Sequence, residues 1–257
     1  MEISIPVKKV YFTLMNEKPP ASSPLTYRYL DIVTVVFTLV LALSNIASSA
    51  KLIDWGISLG GVPLAFDAGT LFFPVAYIFG DILTEVYGYK ISRRVIWIGF
   101  LGLVFTALMF YFIQKLPGEP TWLNSVGQSA YDKILGGVSS GGIVLASFLG
   151  YLGGSFSNAI IMALLKHSTQ GKWLWVRTIS STIVGELVDT AVFIAVGSLT
   201  RVFPWELYLT LTLSNYLFKV AVEVIMTPAT YWITNRLKKA ENLDVFSDLK
   251  DLTPLAF

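Results

Sequence analysis

The sequence has no cysteine and a single histidine, His167, among its 257 residues. Without cysteine the chain cannot form a disulfide, a thiolate metal site or a cysteine nucleophile. One histidine excludes a site in which several imidazoles hold the same metal ion. The sequence also lacks the GxxxxGK[ST] and HExxH patterns, so it carries neither its own ATPase loop nor that zinc site. We therefore expect no catalytic residues, no metal and no cofactor.

Charged residues are scarce as well. They make up 14% of the chain, against roughly 25% in an average soluble domain. Apolar residues make up 54%, and the mean hydropathy is +0.64. The 19 basic and 17 acidic residues leave a net charge of +2, which is too balanced for a nucleic-acid-binding face. This composition argues against a soluble enzyme, a disordered chain and a nucleic-acid partner.

Six long apolar segments indicate an all-α polytopic membrane protein. Each has about 19 to 27 residues, enough for a helix to cross a hydrocarbon core of about 30 Å. Between the first two segments, several glycines and Pro63 favour a short hairpin or re-entrant element over a further span. The predicted spans are residues 27–47, 66–87, 95–113, 141–165, 176–199 and 207–233.

The spans divide the chain into three parts. Residues 1–26 are predicted to be an N-terminal tail, in which Pro19 and Pro20 would break any helix. Residues 27–239 form the transmembrane domain, and residues 240–257 form a C-terminal tail. The connection over residues 115–140 is the longest outside the spans. We expect it to be a plain connector, with a mobile cap over a cavity as the alternative.

Basic residues alternate between the two sides of this arrangement. Fourteen lie on one side, in the tails, in the connections after the second and fourth spans, or at the span ends beside them, and four lie in the other connections. The fourteen include Arg28, Arg177, Arg236, Lys238 and Lys239 at those span ends. Lys219 lies within the sixth span. Because cytosolic loops carry the excess of Lys and Arg, this bias predicts a multi-pass protein with both termini in the cytosol. We expect the membrane to be the plasma (inner) membrane.

Ionisable side chains within the spans are the first candidates for a binding site. Each costs about 2.5–3.5 kcal/mol on insertion scales and therefore tends to face a cavity. The second span carries Asp81 and Glu85, which lie four residues apart on one helical face. Phe73 and Tyr77 continue the same face. The pattern predicts two aromatic rings followed by two carboxylates.

The fifth and sixth spans carry the remaining ionisable groups that lie away from the span edges. Glu186 and Asp189 lie three residues apart, with no cation within a helical turn. If both are ionised they repel, so we expect a proton, a cation or a donor-rich ligand beside them. The sixth span has Asn215, Lys219 and Glu223 at four-residue spacing.

Some of these groups have a purely structural interpretation. Glu85 lies near the end of its span and could pair with Arg93 or Arg94. Lys219 and Glu223 could neutralise each other on one helix. A Lys followed by a Glu at this spacing is the weaker orientation, so Lys219 could instead pair with an acid of the fifth span.

The fourth span has a stripe of small residues at four-residue spacing, from Gly142 to Gly154, which leads to Asn158. Such a stripe lets helix backbones approach closely. Packing within one chain is the favoured interpretation, and a homodimer interface is the alternative. Asn158 and Asn45 are neutral polar groups that could reach the same cavity. For each, a hydrogen bond between helices is favoured over ligand contact.

Four stretches together resemble the queuosine-precursor transporters, also called the vitamin uptake transporter family. They are SNIASSAK at residues 44–51, FPVAYIFGDILTEVYGYKISRRVIWIGF at 73–100, KHSTQGKWLWVRTISSTIVGELVDTAVF at 166–193 and NYLFKVAVEVIMTPATY at 215–231. The combination of DxxTEVYG, WxRTxxST and LxDT makes the resemblance specific. One departure is Asn158, near which many members are expected to carry an acid.

The resemblance implies six spans, cytosolic termini and uptake of 7-cyano-7-deazaguanine and 7-aminomethyl-7-deazaguanine, which are salvaged for the queuosine modification of tRNA. A stand-alone secondary transporter, driven for example by protons, is the first hypothesis. The alternative is the substrate-binding membrane subunit of an energy-coupling-factor importer, a class that this chain resembles in span number and size. Such a subunit would need a separate ATPase module. A membrane enzyme is not supported by any motif.

The spans contain residue types that suit such a ligand. A guanine-like edge presents two adjacent donors, which a carboxylate accepts as a bidentate pair. Asp189 or Glu186 could accept them, and a second carboxylate could hold an aminomethyl cation. Phe73 or Tyr77 could stack on the base. Lys219 or Asn215 could donate a hydrogen bond to the ring carbonyl.

Overall fold

The computed structural model describes residues 27–59, 62–139 and 141–255. The predicted N-terminal tail, residues 1–26, lies outside the described residues. So do Gly60 and Gly61 of the predicted hairpin.

Six helical segments of the described ranges are long and apolar enough to cross a membrane. The prediction of a six-span helical membrane protein is confirmed. The individual helices are α1 (Leu30–Ala50), α2 (Phe73–Ile82), α3 (Tyr89–Lys115), α4 (Pro120–Ser125), α5 (Gln128–Ser139), α6 (Gly142–Ser168), α7 (Leu174–Leu199) and α8 (Tyr208–Glu241).

The segment after α1 forms an antiparallel hairpin. Strand β1 (Leu52–Leu59) pairs with β2 (Val62–Asp67), from Leu52 opposite Asp67 to Leu59 opposite Val62. A bulge between Asp54 and Ser58 interrupts the register. Of the two predicted alternatives, a short hairpin or a re-entrant element, the segment therefore forms the hairpin. Pairing the two strands satisfies backbone groups that an isolated extended segment would leave to solvent.

The second span is a composite helix. A 3₁₀ turn (Ala68–Leu71) precedes α2, and a π-helical turn (Leu83–Tyr87) follows it. Gly88 then adopts φ 82°, and α3 begins at the next residue. A side chain at Gly88 would be strained by this φ, and its Cβ would lie 2.8 Å from Val245 Cγ1. The π turn contains Glu85. The sequence did not predict this turn.

The described part of the connection over residues 115–140 is largely helical, and the sequence did not predict these helices. The segment contains α4 and α5. Glu119 caps α4 by accepting a 2.8 Å hydrogen bond from the Trp122 backbone N–H. Backbone N–H donors of Thr121 and Trp122 lower the pKa of Glu119. Helix α5 packs against α1 and α3, and Ser49 Oγ donates to the carbonyl of Ile134 at 2.7 Å. The hairpin, α4 and α5 define what we call the hairpin end of the bundle.

Helices α6 and α7 form the closest helix pair of the bundle. The small-residue stripe of α6 lies in this interface. A Cβ on Gly154 would lie 2.5 Å from the Tyr77 hydroxyl and 3.0 Å from the Gly185 carbonyl oxygen. A Cβ on Gly150 would lie 2.9 Å from Asp189 Oδ1. The prediction that the stripe packs within one chain is confirmed, and the stripe gives no support to a homodimer.

The start of α1 and the end of α8 meet at the opposite end, which we call the terminal end. Glu241 accepts hydrogen bonds from the backbone N–H groups of Arg28 and Tyr29, at 2.8 and 2.7 Å. The Tyr87 hydroxyl also donates to Glu241 at 2.6 Å. Six spans therefore return the described chain to the side where it began.

The residues after α8 are packed against the terminal end. The Trp97 indole N–H donates to the Pro254 carbonyl at 3.0 Å. Arg93 Nη1 donates to the carbonyls of Asp251 and Thr253, at 3.1 and 2.9 Å. We call residues 242–255 the C-terminal segment. Helix α8 runs eight residues beyond the predicted sixth span, to Glu241.

Candidate functional site

An interior cleft lies among α1, α2, α3, α6 and α7. Its apolar lining includes Phe37, Leu41 and Phe73. The free volume is about 20 Å³, which is room for about one water molecule. The polar lining comes from Tyr77, Ser92, Tyr151, Ser155, Asn158 and Asp189.

Lys219 joins the sixth span to both acids of the fifth. Its ammonium lies 2.7 Å from Asp189 Oδ2 and 3.0 Å from Glu186 Oε2. It also lies 4.3 Å from the centroid of the Phe73 ring, a distance at which a cation is attracted to a ring face. We call Glu186, Asp189 and Lys219 the Lys219 centre. The hypothesis that Lys219 pairs with an acid of the fifth span is confirmed.

The Lys219 centre explains how the neighbouring carboxylates of Glu186 and Asp189 can both be buried. All three side chains are buried, and the positive charge lies between the two carboxylates. The expected repulsion between Glu186 and Asp189 is therefore relieved by a residue 30 positions away from Asp189. The idea that Lys219 and Glu223 neutralise each other is wrong, because no ion pair joins them in the described structure.

Asp81 and Asn158 form a second buried polar contact. The Asn158 side-chain amide donates to Asp81 Oδ1 at 2.8 Å, and Ser181 Oγ lies 3.4 Å from the same oxygen. The helix-to-helix hydrogen bond predicted for Asn158 is confirmed. Two acceptors have no hydrogen-bond partner within the described ranges, namely Asp81 Oδ2 and Asn158 Oδ1. Asn158 lines the interior cleft, and Asp81 lies behind it through their hydrogen bond.

Glu223 is the least satisfied of the candidate carboxylates. Its side chain is 1% exposed, and neither carboxylate oxygen has a hydrogen-bond partner in the described part of the chain. It lies on α8 within electrostatic range of Asp81 on α2 and of Glu186 on α7. Native proteins leave few buried polar groups unpaired, so this one requires an explanation.

Glu85 belongs to a different cluster at the terminal end. Arg177 holds it with two bonds, from Nη2 to Oε1 at 2.7 Å and from Nε to Oε2 at 3.2 Å. The ammonium groups of Lys238 and Lys166 lie 2.6 and 3.6 Å from Oε1. Pairing with Arg93 or Arg94 is wrong, since three cations from α6, α7 and α8 surround the carboxylate instead.

Asp244 of the C-terminal segment completes the Glu85 cluster. Its Oδ1 accepts from Lys166 at 2.5 Å and pairs with Lys238 at 2.8 Å. Partial burial acts to raise the pKa of Asp244, but the hydrogen bonds and charges of the two lysines outweigh it and lower the pKa below its ordinary value. The Glu85 cluster therefore ties three helices and the C-terminal segment together.

The structure brings some candidates together and separates others. Phe73, Tyr77, Asn158 and Asp189 line the interior cleft, whereas Asn45 lines a second cavity beside Thr106 and Ser147. Asn215 donates to the Leu211 carbonyl of its own helix at 2.9 Å. Sequence reasoning missed three long-range partners of Glu85 and its cluster, namely Lys166, Arg177 and Lys238. It also did not link Ser181 to Asp81 or Thr190 to Lys219. Arg177 is the second residue of the predicted fifth span, and its place in the WVRTISST stretch is a usable signal.

Six membrane-spanning helices around a polar interior cleft define a multi-pass membrane protein with the form of a small-molecule transporter. Residues 67–233 match the family model described as "Putative vitamin uptake transporter". The match covers more than half of the chain, which therefore belongs to this family. The resemblance found in the sequence is confirmed.

Two curated relatives are similar over most of the chain. One is the "Probable queuosine precursor transporter" of Bacillus subtilis (strain 168), 29% identical over 200 residues, which are 77% of this chain and 81% of that protein. The other has the same name in Haemophilus influenzae (strain ATCC 51907 / DSM 11121 / KW20 / Rd), 26% identical over 168 residues, 64% of this chain and 66% of that protein. No solved structure matches the chain significantly.

Proposed function

We propose that this chain imports queuosine precursors, the 7-deazaguanine bases 7-cyano-7-deazaguanine and 7-aminomethyl-7-deazaguanine, as a stand-alone secondary transporter. Family membership and the names of the two relatives support this function. The main supporting observation is the interior cleft, which is lined by the rings of Phe73 and Tyr77. Asn158, with its unpaired Oδ1, and Asp189, which pairs with Lys219, line it as well. Transport, and not catalysis, is the activity we propose.

The terminal end is proposed to face the cytosol, and the membrane to be the plasma (inner) membrane. The basic residues of the tails and of the connections after the second and fourth spans support this orientation through the excess of positive charge in cytosolic loops. Lys166 and Arg177, at facing ends of α6 and α7, belong to that side. The hairpin end would then face outward and meet the incoming base.

The unpaired acceptors of the Asp81–Asn158 contact suit the donor edge of a guanine-like base. Asp81 Oδ2 and Asn158 Oδ1 are unpaired, and a ring N–H with an adjacent amino group offers two donors. Phe73 or Tyr77 would stack on the base. Lys219 would place positive charge near the ring carbonyl, and Glu186 and Asp189 would hold Lys219 in position. In this proposal Asp189 acts mainly through Lys219, not as the bidentate acceptor expected from the sequence.

A base does not fit the cleft as it stands. The free volume of about 20 Å³ accommodates about one water molecule. Binding therefore requires the helices around the cleft to separate, and the described conformation is a closed one. Opening first toward one face and then toward the other is the behaviour expected of a secondary transporter.

Calorimetry on the purified chain tests the substrate class. We expect both 7-deazaguanines to bind, guanine to bind more weakly and adenine not to bind, because adenine lacks the paired donor edge. Uptake into vesicles that contain this chain alone then tests the mode of transport. Uptake without an added ATPase module supports the secondary transporter. Tight binding with no uptake would contradict it, and absence of binding to any guanine-like base would remove the substrate assignment.

A further inference from the structure

The middle of the bundle has more acids than bases. Four buried acids lie there, namely Asp81, Glu186, Asp189 and Glu223. Among the described residues, one cation forms an ion pair with members of this group: Lys219, which pairs with Glu186 and Asp189. Arg177 attracts the Asp81 carboxylate electrostatically without a direct ion pair, because its guanidinium is paired with Glu85. If every acid were ionised, the interior would carry a net negative charge that the surrounding side chains do not balance.

Glu223 is the acid of this group whose negative charge would be least compensated. It lies one turn after Lys219 on α8, yet the Lys219 ammonium points to α7 and leaves Glu223 alone. The Thr227 hydroxyl, one turn further on, donates to the Glu223 main-chain carbonyl at 2.9 Å and not to its carboxylate. Helix α8 packs against α2 and α7, and Asp81 on α2 and Glu186 on α7 are near enough to repel an ionised Glu223.

An ionised carboxylate in this position is strongly unfavourable. Burying a charge without a partner costs several kcal/mol even after relaxation, and two like charges nearby add repulsion. A proton on one carboxylate oxygen removes both penalties at once. It also converts an acceptor-only group into one that can donate a hydrogen bond.

We propose that Glu223 is a proton-binding site that couples proton entry to import of the base. This inference rests on the proposed function and adds that a proton gradient supplies the energy for uptake. A proton from water would bind a carboxylate oxygen of Glu223 from the outward-facing side, and the same proton would leave to water on the inward-facing side. Each transfer breaks one O–H bond and forms another: hydronium becomes water when Glu223 is protonated, and water becomes hydronium when Glu223 releases the proton.

The packing suggests how the proton and the conformation are linked. With Glu223 ionised, three like charges on α2, α7 and α8 repel and favour separation of these helices. With Glu223 neutral, the helices close as the structure shows them. Closing around the base would then require the proton, and an empty, deprotonated site would favour the open form.

Proteoliposomes containing the full chain test the coupling. Uptake of radiolabelled 7-cyano-7-deazaguanine, a neutral molecule, is measured with an acidic exterior and the membrane potential clamped. One proton per base predicts about tenfold accumulation for each pH unit, since 1.4 kcal/mol corresponds to tenfold. Glu223→Gln should lose this accumulation but still exchange labelled for unlabelled base across the membrane. Glu206→Gln, which changes an exposed carboxylate just before α8, should behave like wild type.

Three outcomes would overturn the coupling. They are wild-type accumulation that does not respond to the pH gradient, accumulation driven by a sodium gradient instead, and undiminished accumulation by Glu223→Gln. Retained exchange by Glu223→Gln shows that the variant is folded and binds the base. Lost accumulation with retained exchange is the result the proposal requires.

A second measurement does not depend on the substrate. Infrared spectra of purified protein, titrated with pH, report the absorption of protonated carboxyl groups. We expect a buried-carboxyl band at neutral pH that disappears in Glu223→Gln, moves in Glu223→Asp and persists in Glu206→Gln. An unchanged band in Glu223→Gln refutes the proton site even if transport is confirmed. If the base does not bind, the proposed function fails and this spectrum still decides whether Glu223 holds a proton.

Discussion

The ammonium of Lys219 lies 2.7 Å from the carboxylate of Asp189, and this contact joins α8 to α7 inside the bundle. Both side chains are buried, so the pair is screened little by solvent. Glu186 lies on the other side of the same ammonium at 3.0 Å. One cation therefore holds two acids that would otherwise repel each other.

Lys219→Met should destabilise the protein more than Asp189→Asn. Removing Lys219 leaves two buried carboxylates unpaired, and breaking a buried pair costs about 3–5 kcal/mol. Asp189→Asn leaves Lys219 with Glu186. Thermal unfolding of the detergent-solubilised variants measures the order of the effects, and the double variant should be less unstable than the sum of the two changes. Additive losses would mean that the pair does not act as a unit.

Asn158→Leu should weaken binding of 7-cyano-7-deazaguanine by about 10- to 100-fold, because a lost hydrogen bond to a buried partner costs roughly 1–3 kcal/mol. It removes one free acceptor and the donor that holds Asp81. Asn45→Leu is the matched control, since Asn45 lies in the second cavity. Equal affinities of the two variants in calorimetry would remove Asn158 from the site.

The sequence predicted the contacts that helical spacing controls. Phe73 and Tyr77 line the interior cleft, as their shared helical face suggested, and Asp81 and Glu85 both face α6 and α7. The partners of Glu85 could not be read in this way. Arg177 and Lys238 lie 92 and 153 positions further along the chain, and only the packed bundle brings them together.

Two local features were missed for different reasons. The Glu119–Pro120 pair is a usable start signal, with a capping acid followed by proline in the first turn, so α4 could have been predicted. The π turn over Leu83–Tyr87 has no such signal, because it depends on how α2 packs against its neighbours.

Gly154→Ala should destabilise the protein and weaken base binding. Its Cβ would lie 2.5 Å from the Tyr77 hydroxyl and 2.6 Å from Asp189 Cβ, so α6, α7 or the cleft lining must shift. Gly136→Ala in α5 is the control, because its nearest neighbour would be Gln114 Nε2 at 3.8 Å. That change should be neutral or stabilising by up to about 1 kcal/mol, from helix propensity alone. Equal melting temperatures for the two variants would contradict the close packing of α6 on α7.

Glu85→Gln should destabilise the terminal end by about 3–5 kcal/mol, the usual result of leaving buried charges without their partner. Arg177 and Lys166 are buried and both lose a negative charge. Thermal unfolding measures the loss, with Glu206→Gln as the exposed control. Since Glu85 does not line the interior cleft, the affinity of the folded variant for the base should change little. A large loss of affinity at unchanged stability would place Glu85 in the binding site instead.

Asp244→Asn should release the C-terminal segment from the terminal end. The Asp244 carboxylate bonds Lys166 and Lys238, which lower its pKa despite partial burial. A lowered pKa stabilises the docked form above the pKa of the free side chain, about 3.9, and this benefit is lost as the pH falls toward the folded value. Hydrogen exchange over residues 242–255 should therefore be faster in Asp244→Asn than in wild type at pH 7. The difference should shrink below about pH 4. Asp54→Asn in the hairpin should not change this exchange, and an Asp244→Asn segment that stays as protected as wild type at pH 7 would show that the two lysines do not hold it.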